Sequence, residues 1–133
     1  MRTMIHPETG QTLTRQERPE TISHGIYSRT INLAGWYPED DGDAILDPDD
    51  QKAYEEVAGE LRARYIARLK EMRKRLDLTQ EAASNLIGGG IRSFQRYESG
   101  RQPTAAAVRL IEILCRHPEL VDEVREIEVA EAA

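Results

Sequence analysis

Two arginines four residues apart, Arg92 and Arg96, offer the clearest chemistry in this 133-residue sequence. If the segment around them is helical, the two side chains share one helix face, because residues i and i+4 are neighbours on a helix surface. Arginine donates two parallel hydrogen bonds to O6 and N7 of guanine in the DNA major groove. The spacing therefore predicts two base-reading side chains, with Arg92 near the helix start that usually meets the bases.

Other polar side chains near the two arginines are expected to contact phosphates or, for some, bases. Helix starts and flanking polar groups commonly bind phosphate oxygens and so position a protein on DNA. This second set consists of Thr79, Gln80, Ser93, Gln95 and Arg101. The alternative is a solvated helix face that carries ordinary surface arginines. The glycine turn, the apolar spacing and the outward arginines agree with one another, which favours DNA binding.

The elements that must position these side chains are two short helices joined by glycines. Thr79 is a suitable N-cap for the first helix, and Gly88–Gly90 should end it because glycine tolerates positive φ. The second helix is predicted over about residues 90–99, with Gly100 as its stop. The residues expected to face the core from this second helix are Ile91, Phe94 and Tyr97. Two such helices are typical of a helix-turn-helix.

The distribution of charge favours a nucleic-acid partner although the whole chain carries a net charge of −6. Residues 1–60 contain 5 basic and 13 acidic side chains, and residues 102–133 contain 3 basic and 7 acidic ones. Residues 61–101 contain 10 basic and 4 acidic side chains. The basic segment coincides with the predicted helix-turn-helix and provides the local field that phosphates require.

The predicted fold class is α+β, with a small antiparallel β unit over residues 1–46. β-like runs cover residues 13–16 and 21–33, and Pro19 and Gly25 are expected to interrupt them. Trp36 and Tyr37 are assigned to the small N-terminal core, with contact to a partner as the alternative. The acidic loop over residues 38–43 is expected to be a solvated connection, although it could meet a basic partner.

The rest of the chain is predicted to be helical. Asp47 is a good N-cap and Pro48 a suitable first helical residue, so residues 47–60 form a helical linker, with a break near Gly59 left open. Residues 61–128 are predicted as an all-α domain of five helices, followed by a tail over residues 129–133. Leucine, tyrosine and methionine side chains form one apolar face of its first helix, at Leu61, Tyr65, Leu69, Met72 and Leu76.

Several function classes are disfavoured by what the sequence lacks. The three histidines are scattered, no nucleophile lies at a suitable spacing from a base, and Gly88–Gly90 is not followed by the Lys-Ser/Thr of a phosphate-binding loop. An enzyme is therefore not expected. The single Cys115 excludes an internal disulfide and is assigned to the core. With no long apolar segment or secretory signal, we expect a cytoplasmic protein without a membrane partner.

The segment Gly-Gly-Gly-Ile-Arg-Ser-Phe-Gln-Arg-Tyr-Glu, the helix after Pro103 and the corner His-Pro-Glu-Leu at 117–120 resemble a known family. Over about residues 60–128 the chain is similar to the Xre-type (lambda-repressor-like) domain of MqsA antitoxins. The resemblance implies a homodimer through the C-terminal domain, a palindromic operator and repression of the protein's own toxin–antitoxin operon. In that family the positions matching Arg92 and Arg96 read bases, and the first of them is often Asn.

The N-terminal half resembles the family more loosely. Family members carry a zinc site from two Cys-x-x-Cys pairs, and the four matching positions here read His6, Thr9, Pro38 and Asp41. Because structural zinc requires four good donors, usually Cys or His, no metal or other cofactor is expected; a residual site at His6 and Asp41 is the alternative. In the family this half neutralises an RNA-cleaving toxin. The competing hypothesis is a free-standing Xre-family regulator without a toxin.

Overall fold

A computed structural model describes residues 2–130 and has an α+β fold, which confirms the predicted class. The last residues of the predicted C-terminal tail, 131–133, lie outside the described part. The chain divides into two compact units, with the division after Leu61. We describe each unit by itself.

The first unit is built on a four-stranded antiparallel sheet with the strands in chain order. The strands are β1 (Thr3–Ile5), β2 (Thr12–His24), β3 (Tyr27–Tyr37) and β4 (Ile45–Leu46). β2 and β3 form a long hairpin, whereas β1 and β4 pair only with its base. Along most of the hairpin, therefore, no further strand among residues 2–130 pairs with its outer edges.

Pro19 lies inside β2 opposite Asn32, so the prediction that it interrupts the strand is wrong. The backbone N–H of Arg15 donates to the carbonyl of Arg2, the residue before β1, and residues of the same parity along a strand direct their N–H groups to the same side. The missing N–H of Pro19 therefore falls on the open edge, where it removes no bond to β3. Gly25 (φ +60°) supplies the hairpin turn between the two strands and does end β2.

The core of the first unit is aliphatic and aromatic. Leu13, Ile22, Leu33 and Tyr37 are buried, and the Tyr37 hydroxyl donates to the Leu33 carbonyl at 2.7 Å. Tyr37 therefore serves the core, as predicted. Trp36 points to the opposite face of the sheet because successive strand residues alternate.

Trp36 is only partly buried, and two guanidinium groups flank its ring. The carbons of the Arg2 and Arg15 guanidinium groups each lie 5.6 Å from the ring centroid, within the range of a cation–π contact. The Trp36 ring therefore lies against two charged side chains.

Helix α1 spans Pro48–Arg75 and contains the division between the two units. Gly59 lies within this helix, so the structure shows no break there. The helix begins at Pro48 as predicted, and its start is fastened to the sheet. The Asp47 carboxylate receives hydrogen bonds from both terminal nitrogens of Arg15, and the Asp50 carboxylate accepts from the Ala34 N–H at 2.9 Å.

The second unit contains the remainder of α1 and four further helices. These are α2 (Gln80–Ile87), α3 (Ser93–Glu98), α4 (Ala105–Arg116) and α5 (Val121–Glu126), and a 3-10 helix at Pro118–Leu120 precedes α5. The large apolar side chains that are fully buried at its centre are Tyr65, Leu69, Phe94, Ile111 and Leu114. No described helix is both long and apolar enough to cross a membrane.

Candidate DNA interface

Helix α2, the first of the two helices predicted to form a helix-turn-helix, has a side-chain cap at its start. The Thr79 hydroxyl accepts from the Ala82 N–H at 3.0 Å, which confirms Thr79 as the N-cap. Near the other end of α2, the buried Ser84 hydroxyl accepts from the Phe94 N–H at 2.9 Å. This bond fixes the first turn of α3 against α2. Ser84 was not assigned from the sequence, although a serine inside an apolar helix stripe is a signal that its hydroxyl has a partner.

Four residues of the turn between α2 and α3 have positive φ. Gly88, Gly89 and Gly90 have φ of +85°, +91° and +98°, and Arg92 has a φ of +64°. A Cβ on Gly89 would lie only 2.8 Å from the Tyr97 hydroxyl, so a side chain has no room there. Helix α3 therefore begins at Ser93, and the prediction of a helix from about residue 90 is wrong at its start.

Two predicted orientations are overturned by this late start. Ile91, expected in the core, is 85% exposed, whereas Phe94 and Tyr97 are buried as predicted. Ser93, expected to face outward, is fully buried, and its hydroxyl donates to the Gly88 carbonyl at 2.8 Å. Residues three apart share a face only within a helix. Because Ile91 precedes α3, its spacing from Phe94 does not place it on the buried face.

Arg92 and Arg96 do not share a helix face, because Arg92 occupies the N-cap position with a left-handed backbone. The Arg92 side chain is exposed. Arg96 is half-buried: its Nη1 donates to the Ile91 carbonyl at 3.0 Å and its Nη2 to the Gly89 carbonyl at 3.3 Å. Its Nε is buried and has no hydrogen-bond partner among the described residues. The structure thus exposes one arginine and fastens the other to the turn.

The other predicted contact residues lie around this turn. Gln95 is exposed on α3, Gln80 is the half-buried first residue of α2, and Arg101 is exposed just after α3. An open cleft of about 510 Å³ separates α2 from the turn and is lined by Glu81, Ser84, Asn85, Ile91, Arg92 and Gln95. The cleft places the exposed Arg92 and Gln95 together, while Ser93 is buried beneath.

An ion pair fastens α3 to α1. The Arg73 guanidinium donates to both Glu98 oxygens at 2.6 and 2.8 Å, and its Nη1 donates to the Leu78 carbonyl at 3.2 Å. Hydrogen bonding to Glu98 raises the pKa of Arg73 above its ordinary value. A second pair joins Arg68 to Glu112 on α4. Neither glutamate was assigned from the sequence, since each partner is at least 25 residues away.

In the family that this chain resembles, four positions hold zinc ligands, and the residues at those positions here do not fit a zinc site. His6 is buried, and its Nδ1 accepts the backbone N–H groups of Glu8 and Thr9 at 3.1 and 3.4 Å. Proline offers no side-chain donor, and the Pro38 carbonyl accepts from Arg18 at 2.8 Å. Within residues 2–130, no three His, Cys, Asp or Glu side chains are grouped so as to hold a metal ion.

Cys115 is half-buried on α4. Burial, with the Glu112 carboxylate as the next cause, raises the pKa of its thiol above the ordinary value. A raised pKa disfavours the thiolate, the form in which cysteine is nucleophilic.

Comparison with known proteins agrees with this architecture. Residues 6–125 match the family described as the antitoxin component of bacterial toxin–antitoxin systems, MqsA. A segment of 56 residues is 46% identical to antitoxin MqsA of Escherichia coli (strain K12), and it covers 41% of this chain and 43% of that protein. The matched segment is thus less than half of the relative's length. Because the family match covers most of the sequence, this chain belongs to the MqsA antitoxin family.

Proposed function

We propose that this protein neutralises an RNA-cleaving toxin through its N-terminal unit and represses its own operon as a sequence-specific DNA-binding dimer. The observation that carries the DNA-binding half is the exposed pair Arg92 and Gln95 on a rigidly held turn and short helix. Membership of an antitoxin family supports a toxin partner.

In this proposal the two arginines act differently on DNA. Arg92 is exposed and reads a base directly. Arg96 reaches a base by exchanging its two carbonyl partners in the turn for acceptors on the base edge. Two hydrogen bonds to the turn are thereby replaced by hydrogen bonds to the base. The base edge also offers an acceptor to the buried Nε of Arg96. Arg96 is thus held near its site before DNA arrives.

Phosphate contacts come from polar residues at the start of α2 and just after α3. Gln80 and Arg101 lie at the start of α2 and just after α3, on either side of the turn in sequence. The Thr79 hydroxyl accepts from Ala82 and still has its own hydrogen to donate to a phosphate oxygen. Ser93 is omitted from the proposed contacts because its hydroxyl is committed to Gly88 inside the protein.

Dimerisation through the C-terminal domain is supported by an apolar groove between α2, α4 and the end of the described chain. The groove measures about 720 Å³ and includes Leu86, Leu110 and Val124 in its lining. Ile127 and Val129 border it and are 67% and 84% exposed. A dimer would place two α3 helices in successive major grooves, with half-sites about one helical turn apart or a multiple of it.

Fluorescence anisotropy on a duplex from upstream of the protein's own operon and on a scrambled duplex tests DNA binding. We expect affinity for the native duplex to fall steeply with salt, because basic side chains release counterions on binding. Arg92→Ala should cost roughly 1–3 kcal/mol on the native duplex and far less on the scrambled one. Arg116→Ala, an exposed arginine at the end of α4, is the matched control. Equal affinity for both duplexes would refute sequence-specific binding.

A growth assay tests neutralisation. The small open reading frame beside this gene is expressed alone, with the full chain, with the Arg92→Ala chain, and with a chain lacking residues 1–46. We expect the full chain and Arg92→Ala to relieve toxicity, and the truncated chain to fail. Retained operator binding by the truncated chain shows that its second unit is folded. If the neighbouring product is harmless, or if the full chain does not relieve its toxicity, neutralisation is refuted and a regulator remains. If the truncated chain also relieves toxicity, neutralisation does not reside in residues 1–46.

A further inference from the structure

Ile91 is an exposed apolar side chain in the middle of an otherwise polar surface. It is 85% exposed, more than the other large apolar side chains of the described chain. Its neighbours around the α2–α3 cleft are Glu81, Asn85, Arg92 and Gln95, all of them polar. Leaving a large aliphatic side chain in water forfeits the favourable free energy that its burial would give.

The backbone holds Ile91 in this exposed position. Three glycines with positive φ precede it and the left-handed Arg92 follows it, so the chain leaves the domain surface and returns at Ser93. The Ile91 carbonyl accepts from Arg96 Nη1 at 3.0 Å, and the Ser93 N–H donates to the Gly90 carbonyl at 3.2 Å. In the free protein the turn is therefore fixed at both ends, and Ile91 already projects before DNA binds.

We propose that Ile91 reads the C5-methyl group of a thymine in the major groove. Among base edges in that groove, this methyl is the apolar feature, and the other groups are hydrogen-bond donors and acceptors. Ile91 directly precedes Arg92 and lines the same cleft as Gln95, so an apolar contact lies beside two polar ones. The inference rests on the proposed DNA binding. It adds the prediction that the operator has a thymine next to the base read by Arg92.

The surroundings of Ile91 favour DNA over a second copy of the chain as its partner. The apolar groove suited to a second copy is lined by other residues, among them Leu86, Leu110 and Val124, and does not include Ile91. Ile91 belongs to the segment over residues 61–101, whose 10 basic and 4 acidic side chains complement phosphates. The groups beside Ile91 in the cleft are one guanidinium, two amides, a hydroxyl and the Glu81 carboxylate. An apolar side chain among polar groups matches a thymine edge, where a methyl lies beside hydrogen-bonding groups, better than an apolar protein surface.

The test replaces thymine with uracil, which removes the methyl and leaves every hydrogen-bonding group in place. A duplex is first selected by wild-type protein from a pool with a randomised centre, and each thymine is then replaced singly. We expect one position in each half-site where uracil weakens wild-type binding about fourfold, the equivalent of one buried methyl. Ile91→Ala should bind the thymine and uracil duplexes equally.

Matched variants separate this contact from general effects. Ile26→Ala alters an exposed isoleucine in the hairpin turn of the first unit, 42% exposed, and should keep the full discrimination. Because Ile91 is not packed in the core, Ile91→Ala should unfold at the wild-type urea concentration and keep the wild-type salt dependence.

Each remaining outcome overturns a defined claim. If no duplex is selected, the proposed DNA binding fails, and the thymine contact fails with it. If a duplex is selected but uracil is tolerated at every position, only the thymine contact fails. If Ile91→Ala retains the discrimination, another residue reads the methyl and the assignment to Ile91 is refuted.

Discussion

Replacing Glu98 with glutamine should destabilise the second unit more than the same change at Glu112. The Glu98 side chain is 3% exposed, and both of its oxygens are bound by Arg73. Removing one partner of a buried pair costs about 3–5 kcal/mol, because the other charge is left without compensation. Arg73 is 22% exposed and keeps the Leu78 carbonyl, so we expect a loss of about 3 kcal/mol, at the lower end of that range.

Two other glutamate–arginine pairs provide a graded comparison with the same substitution. Glu112 is 11% exposed and its partner Arg68 is 34% exposed, so Glu112→Gln should cost about 2 kcal/mol, as for a charged hydrogen bond. Glu60 and Arg29 in the first unit are 62% and 47% exposed. Solvent screens that pair, and Glu60→Gln should cost less than about 0.5 kcal/mol.

Urea unfolding followed by far-ultraviolet circular dichroism measures the three losses. Hydrogen exchange of the Phe94 amide, which donates to Ser84, reports on the attachment of α3 in particular. We expect Phe94 protection to fall most in Glu98→Gln. Equal losses for Glu98→Gln and Glu60→Gln would refute the argument that burial determines the value of these pairs. Faster exchange at Phe94 in Glu60→Gln than in Glu98→Gln would refute the assignment of the Arg73–Glu98 pair to α3.

Three further predictions follow from single residues. Arg92→Gly should preserve or raise the melting temperature, because a non-glycine residue in the left-handed conformation costs about 1–2 kcal/mol. The same change should weaken operator binding in the anisotropy assay. A lower melting temperature would contradict the left-handed conformation of Arg92. Thr79→Ala should reduce unfolding free energy by about 1 kcal/mol through loss of the N-cap, whereas Thr79→Ser should not. The hydrogen bond from Arg15 lowers the pKa of Asp47. The stability that this pair contributes is therefore present above the ordinary pKa of aspartate and is lost as the pH falls through the lowered pKa. NMR titration of the Asp47 carboxyl measures the shift, and an Asp47 pKa at its ordinary value would refute the contact.

Features set by a few neighbouring residues could be predicted from the sequence. Thr79 caps α2, Pro48 starts α1, and Phe94 and Tyr97 are buried at helical spacing. These outcomes depend on backbone groups and side chains within one or two helical turns. They could be predicted because the determining contacts are close along the chain.

Features that depend on distant partners could not be predicted in the same way. Pro19 is tolerated in β2 because its backbone nitrogen faces the edge away from β3. That edge has no partner strand at Pro19 because β1 pairs only with the start of β2. Glu98 is buried because Arg73, on another helix, binds both of its oxygens. A single sequence does not show which arginine will bind Glu98, or which strand will pair beside Pro19.

The two short helices of the candidate DNA interface lie close to where the sequence predicts them, but the second begins later than predicted, and one backbone property accounts for the difference. Helical periodicity treats residues 91–93 as helical, whereas left-handed glycines delay the helix to Ser93. The delay exposes Ile91, buries Ser93 and places Arg92 in a conformation that Asn adopts more easily than most residues. Family members that carry Asn at this position therefore satisfy the same backbone requirement. We infer that this position can change its base preference without altering the turn, so operator specificity and fold are separable there.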